Sequence, residues 1–456
     1  MVHAFVSGSP PGETTMENPN THSRRAFLKT AAASAAASAA LAGAVGRSAE
    51  PTRTARIGIV GVGSRGSGLL RTILQFPNVA VPAVGDILAE RAGRAQEIVE
   101  QATGDRPQAY TQGERDWERL VERDDLDAVL TATPWQWHAP IMVAAMKAGK
   151  YAATEVPAAV TLEECWDLVR TSEETGMPCM MLENVCYHQE ALTLLRMVRE
   201  GLFGDLLHAE AGYQHDCRSL MFTDDGKLSW RGEHSAAKNG NLYPTHPIGP
   251  IAQWMDINRG DRFTRIASNS TKAAGLKQYA ARKFGPDHPL AQRDYALGDV
   301  NTSLLQTAGG RTVTLYFDMN TPRPYDLIFR LQGTEGIHMG GAKGGIYLEG
   351  KSPSPHAYEP FAPYMQEYAH PLWTALQEQA RQHGGHGGSD YVLIHDFLKA
   401  VVNRAPLPQD VYDAATWSAI TPLSIDSVAR NGSAIDFPDF TQGKWQSRPP
   451  VPIYGA

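Results

Sequence analysis

The stretch from Ala55 to Leu70, ARIGIVGVGSRGSGLL, constrains this chain more than any other. An apolar run ends in Gly61-x-Gly63-x-x-Gly66 and passes directly into the start of a helix, the strand, turn and helix order on which a dinucleotide can rest. Gly61 permits the tight turn, Gly63 lets the backbone approach a pyrophosphate, and Gly66 lets the helix pack closely on the strand. The helix N-terminus aims its unpaired N–H groups at the phosphates, and Ser64 and Arg65 fall beside them. A second apolar run, Val79 to Val84, ends at Gly85-Asp86. Asp86 stands roughly 20 residues beyond the glycines, where a carboxylate accepts from ribose hydroxyls and repels a 2′-phosphate. The expected cofactor is therefore NAD rather than NADP.

The alternation continues, with strands read at Leu126 to Ala132 and Tyr151 to Thr154 and helices at His138 to Ala148 and Thr161 to Thr175. Strands and helices alternating at this spacing imply a parallel, doubly wound sheet. Residues just after strand C-termini face the ligand in such a sheet, which singles out Trp135, Gln136, Trp137, His138, Glu155 and Val156. Beyond Met180 the texture changes. A helix from Glu190 to Glu200 and a strand from Leu206 to Ala211 precede a long polar loop to Asn241. Strands then start at Arg265, Thr302, Thr312, Leu327 and Gly345, which implies a large, mostly antiparallel open sheet. Helices at Asp390 to Val402 and Ala414 to Arg430 end the chain, the first preceded by a Gly- and His-rich segment, His383 to Gly388. The expected fold is α/β: an NAD-binding Rossmann domain over 51–180 and a second α/β domain over 181–456. The last helix is a candidate to return to the first domain.

Residues 1–50 stand apart. Arg24-Arg25 precedes an alanine-rich apolar run from Thr30 to Val45, the layout of a twin-arginine export signal. That run is too short and too rich in alanine for a stable membrane span. Export by this route moves a protein already folded, so the reading predicts a tightly held cofactor and a periplasmic or secreted product. A net charge of −7, with 42 basic against 49 acidic side chains, provides no electrostatic footprint for nucleic acid. Cys165, Cys179, Cys186 and Cys217 lack metal-ligand spacing and read as core thiols. His383 and His386 have no carboxylates or cysteines at usual metal spacing, so no metal is expected.

Gly61 to Gly66, Ala132-Thr133-Pro134, Glu155-Val156-Pro157 and Glu183-Asn184 together resemble the glucose-fructose oxidoreductase / inositol dehydrogenase family, over nearly all of the chain after residue 55. Most of that family carries Glu-Lys-Pro at the turn, the lysine assisting dehydrogenation of an alcohol; here the position is Val156. A narrower resemblance accommodates the departure. TPWQWHAP, EVPAA, ENVCYHQEALTLLRMVREGLFGD, GNLYPTHPIGP and HGGSD look like glycoside hydrolase family 109, the NAD-dependent α-N-acetylgalactosaminidases. The resemblance implies a retaining glycosidase in which NAD oxidises carbon 3 of the sugar, the glycosidic oxygen leaves by elimination, water adds, and the hydride returns. It implies a glycan with terminal N-acetylgalactosamine as substrate. The rival reading is an exported NAD(P)-dependent sugar oxidoreductase of the glucose-fructose oxidoreductase type.

Such chemistry needs histidine, tyrosine or carboxylate near the nicotinamide. Tyr243-Pro244-Thr245-His246-Pro247 is the first candidate, with prolines stiffening the loop ahead of a helix expected to begin after Pro247; the plainer role for Tyr243 and His246 is capping that helix. Tyr187, just past the strand ending at Glu183-Asn184, is expected to face the cleft and shuttle a proton, or else to pack under the sheet. Asn184, Glu155 and Val156 are expected along the nicotinamide ribose, and Trp135 to His138 along the nucleotide, although His138 could simply start its helix. The resemblance carries substrate contacts onto Tyr213, Arg231, Tyr243, Pro244, Thr245, His246 and Tyr325; Arg231 could instead be a surface charge. His386 has no firm role beyond helping to close the site. A homodimer through an exposed face of the large sheet is a further expectation from the fold family.

Overall fold

The computed structural model describes residues 53–341 and 344–455. The export signal read at residues 1–50 lies outside the described residues.

Six strands form the first sheet: β1 (Ala55–Val60), β2 (Val79–Gly85), β3 (Gln108–Tyr110), β4 (Ala128–Thr131), β5 (Tyr151–Thr154) and β6 (Cys179–Met181). Their order is β3-β2-β1-β4-β5-β6 and every pairing is parallel. Helices cover both faces of such a sheet, so its central strands can be apolar throughout. All four residues of β4 and of β5 are buried. The order reverses between β1 and β4, which opens a crevice at their C-terminal ends. Gly61 has φ +83°, and a Cβ there would lie 2.8 Å from backbone atoms of Ala132 and Thr133. A Cβ on Gly66 would come 1.9 Å from the Gly61 carbonyl oxygen. The fingerprint glycines at 61 and 66 thus meet the steric demands read from the sequence.

The second sheet has eight strands: β7 (Leu206–Gln214), β8 (Phe263–Ser270), β9 (Asn301–Thr307), β10 (Thr312–Asp318), β11 (Arg330–Gly333), β12 (Gly336–Met339), β13 (Gly345–Leu348) and β14 (Ile435–Asp436). In the order β13-β12-β11-β7-β10-β9-β8-β14, β7 and β10 pair in parallel and the other pairs are antiparallel. The strand expected from Leu327 begins instead at Arg330, because Ile328 and Phe329 have positive φ and break the ladder. The expected polar loop before Asn241 contains a helix, Trp230–Ala237, capped by the Ser229 side chain. Helices Gly275–Phe284 and Pro371–His383 were also not foreseen.

One buried apolar cluster joins Ile57 on β1, Leu315 on β10, Phe397 and Trp417. Helix Val411–Ala429 packs on helix Leu162–Thr175 as well as on β8, and Ser418 Oγ accepts from Ala158 N at 3.0 Å. The final long helix therefore does lie against the Rossmann sheet. Helix Ser389–Asn403 also reaches it, through Tyr391 stacked on Phe76 at 4.6 Å. All four cysteines are buried and unpaired, and burial pushes their thiol pKa values up. No helix among the described residues is long and apolar enough to cross a membrane.

Candidate active site

Glu183, just beyond β6, has no exposed surface. Its Oε1 accepts from Val185 N at 3.0 Å and lies 2.6 Å from His246 Nδ1. A carboxylate against Nδ1 favours the tautomer that carries its proton there, so Nε2 is left as the acceptor. His246 belongs to helix Thr245–Trp254, which starts two residues before Pro247 rather than after it. The correction has a simple cause: the first-turn N–H groups of a helix have no partner, so proline is tolerated there. Pro250, one turn on, removes the donor that would close on the His246 carbonyl.

Rings surround the dyad. Tyr213 and Tyr243 lie 5.4 and 5.0 Å from the His246 ring and 4.8 Å from each other. Tyr325, 49 % exposed, meets Tyr213 edge-on at 6.1 Å. Trp135 stacks on Tyr243 at 5.7 Å and meets Trp230 at 4.9 Å. Arg231 stacks over Trp230 at 4.1 Å and makes no salt bridge among the described residues, so its fork is left for a ligand. Burial raises the Tyr213, Tyr243 and Tyr325 pKa values, which keeps these phenols protonated as donors. Of the expected loop, Tyr243 and His246 are half-buried while Pro244 and Thr245 are buried, and the Thr245 Oγ1 has no hydrogen-bond partner among the described residues.

Tyr187 departs from its expected place. It is 3 % exposed, and its hydroxyl lies beside Asp396 and Tyr454, away from the dyad. The packing alternative therefore holds. His188, the next residue, is the one under the influence of His246, Glu183 and His386; burial, then the charges of His246 and His386, push its pKa down to about 4 against the opposing pull of Glu183.

The dinucleotide side is built from the turns after β1, β2, β4, β5 and β6. Asp86 accepts from Val62 N and Leu88 N, both at 3.0 Å, which fixes its carboxylate beside the glycine turn. The helix starting at Ser64 has no side-chain cap, so its first N–H groups remain available for phosphate. A Cβ at Gly63 would meet only the Arg91 guanidinium, 3.5 Å away. Asn184 donates to Asp390 at 2.7 Å and its buried Oδ1 has no protein partner. These features fit a dinucleotide. Trp137 meets Trp117 edge-on at 6.3 Å, and Gln136 is exposed beside it.

Three expected cofactor contacts are corrected. His138 is 1 % exposed, with Nδ1 2.7 Å from the Pro157 carbonyl and Nε2 2.8 Å from the Thr133 carbonyl; burial lowers its pKa, so the neutral ring donates to one of them and rests against the other, and both nitrogens face the protein interior. Val156 is buried in the core, so its side chain does not line the crevice. Arg65 spends its guanidinium on carboxylates, with Nε 2.6 Å from Glu155 and both terminal nitrogens on Asp390 at 2.5 and 3.0 Å. Burial opposes the Arg65 charge, and the two carboxylates outweigh it. Arg91, which the sequence did not single out, holds its guanidinium beside the glycine turn, 3.5 Å from where a Cβ on Gly63 would stand.

A parallel sheet with this turn chemistry, and a glutamate–histidine dyad beyond the C-terminal end of its edge strand β6, defines an NAD-binding Rossmann enzyme. Residues 55–183 match the oxidoreductase family with an NAD-binding Rossmann fold, and residues 187–447 match the glycosyl hydrolase 109 C-terminal domain. The chain belongs to glycosyl hydrolase family 109 and is an NAD-dependent glycosidase. It is 43 % identical over 415 residues to an alpha-N-acetylgalactosaminidase of Tannerella forsythia, covering 87 % of this chain and 88 % of that one. It is 44 % identical over 420 residues to a glycosyl hydrolase family 109 protein of Stenotrophomonas maltophilia, covering 88 % and 92 %. Among solved structures, levoglucosan dehydrogenase in complex with NADH and levoglucosan superposes with a TM-score of 0.64 at 20 % identity, covering 85 % of this chain and all of that one. At that identity the likeness describes the fold.

Proposed function

We propose that this enzyme removes terminal α-linked N-acetylgalactosamine from glycans with retention of configuration. The observation that carries the reading is the buried Glu183–His246 pair opening onto a box of tyrosines beyond the C-terminal end of β6. NAD bound there supplies reversible oxidation at carbon 3 of the sugar. With its Nδ1 held by Glu183, His246 takes the proton of the carbon 3 hydroxyl on Nε2 and later returns it. Tyr213 and Tyr243, kept neutral by burial, donate hydrogen bonds to sugar oxygens and to the departing glycosidic oxygen. Arg231 holds the acetamido oxygen and Tyr325 closes the outer side of the ring. Buried Val156 offers no amine in the crevice for simple alcohol dehydrogenation, which favours hydrolysis over the oxidoreductase alternative.

The test uses purified protein and an aryl α-N-acetylgalactosaminide in deuterated water. Cleavage without added NAD, with deuterium gained at carbon 2 and no accumulation of NADH, supports the reading. A stoichiometric oxidised sugar, or cleavage without exchange at carbon 2, overturns it.

Twin-arginine export with loss of residues 1–50 belongs to the same proposal, supported by Arg24-Arg25 ahead of the alanine-rich run. So do a boundary near residue 180 between the dinucleotide and sugar domains, and a homodimer through the outer face of the large sheet, where Leu304 is 51 % exposed. Cell fractionation with an Arg24→Lys/Arg25→Lys variant and sedimentation of the purified protein decide export and assembly.

A further inference from the structure

Asp390 is 3 % exposed, yet no step of hydrolysis calls on it. Its Oδ2 accepts from Arg65 Nη1 at 2.5 Å and from His386 Nδ1 at 2.9 Å. Its Oδ1 accepts from Arg65 Nη2 at 3.0 Å and from Asn184 Nδ2 at 2.7 Å. Through Arg65 the network extends to Glu155. One carboxylate thus joins the turn after β1, the turn after β6 and the loop 384–388, with the turn after β5 bound through the same guanidinium. The first, second and fourth of these are walls of the dinucleotide crevice.

The loop is shaped for that approach. A Cβ on Gly385 would come 2.5 Å from Asp390 Oδ2, and one on Gly384 would come 2.7 Å from Gly388 Cα. His386, Gly387 and Gly388 take φ of +52°, +71° and +102°, so three successive residues hold the left-handed region and swing the His386 ring back onto Asp390. His386 also lies 3.4 Å from Arg65. Burial alone would raise the Asp390 pKa, but His386 and Arg65 bring it well below the usual carboxylate range.

We propose that Asp390 and His386 form a latch that fastens loop 384–388 to Arg65 of the glycine turn and keeps the dinucleotide in place between turnovers. Both act as positioning residues: neither touches the sugar, and each sets how fast the cofactor can leave. A bidentate Arg–carboxylate contact fixes orientation as well as distance, so the turn cannot open while it is made.

The test is release of bound dinucleotide from purified holoprotein without any glycoside, followed by rapid desalting and assay of the retained NAD. Asp390→Asn is expected to raise the dissociation rate by about tenfold or more, since contact losses of this kind act on the off-rate. Asp390→Glu should recover part of the retention, which a role in overall stability would not predict. His386→Ala, on a side chain 57 % exposed, should release faster than the parent by a smaller factor and carries the test if Asp390→Asn fails to fold. Release from both variants at the parent rate overturns the latch. The inference rests on dinucleotide binding and not on sugar specificity. A parent that holds NAD but cleaves no glycoside would end the functional reading and leave the latch standing.

Discussion

His246 Nδ1 lies 2.6 Å from the Oε1 of Glu183, a carboxylate with no exposed surface. Charge at Glu183 stabilises the imidazolium that forms when Nε2 takes a proton, and the short contact fixes the ring's tautomer. Glu183→Gln preserves the size and removes the charge, so kcat should fall by about 10²- to 10⁴-fold. NAD content should match the parent. Glu183→Gln/His246→Ala should be little slower than His246→Ala alone, because the two residues act as a unit. Steady-state kinetics on an aryl glycoside checks the two rate expectations, and assay of the NAD released on denaturation checks the cofactor content.

Tyr187→Phe should leave kcat within about threefold of the parent and cost about 1 to 2 kcal/mol of stability, the value of a buried hydroxyl's hydrogen bond. The hydroxyl sits beside Asp396 and Tyr454 and away from the dyad. Denaturant unfolding together with kinetics separates the two roles. A large fall in kcat with unchanged stability would return Tyr187 to the catalytic set.

Arg91→Ala should weaken NAD binding by about tenfold and flatten its dependence on salt, as expected for loss of one partly exposed cation facing phosphate. Titration of apoprotein with NAD at two ionic strengths measures both effects.

His370 caps helix Pro371–His383, its Nδ1 accepting from Leu372 N at 3.2 Å. Only an unprotonated nitrogen can accept, and burial pushes the pKa down to about 4. The unfolded chain titrates near 6.5, so this contribution is complete above that pH and is lost as pH falls through about 4. Replacing a capping acceptor costs about 1 kcal/mol. Amide exchange over residues 371–383 should accelerate between pH 7 and pH 5 relative to the rest of the protein, and His370→Asn, still a cap, should abolish that difference.

The parts of the fold legible in sequence were those fixed by local sterics. Gly61, Gly66 and Asp86 hold their expected places because a tight turn and a close helix leave few alternatives there. Strands β3 and β6, three residues each, are too short to carry a period. The strand expected at Leu327 is displaced by two residues with positive φ, and nothing in Ile328-Phe329 signals that backbone. Site residues fared by the same rule. Tyr213, Arg231, Tyr243, His246 and Tyr325, onto which the family resemblance carries substrate contacts, lie close together. Tyr187 was misplaced because the chain after β6 turns through a 3₁₀ segment, Asn184–Tyr187, and does not continue extended. Glu183 has no local pattern that marks its role, since its partner lies 63 residues away. Its position just past a strand of the parallel sheet was the available signal.

His138 stands between the carbonyl oxygens of Thr133 and Pro157, one from each of two neighbouring turns, and its single N–H donates to one of them. A single buried ring thereby spaces the rims of the crevice, independent of whatever lies between them. An emptied enzyme should keep its mould, and recharging it with nicotinamide nucleotide should wait on docking and on release of the Asp390 latch, without the further delay of rebuilding a collapsed groove.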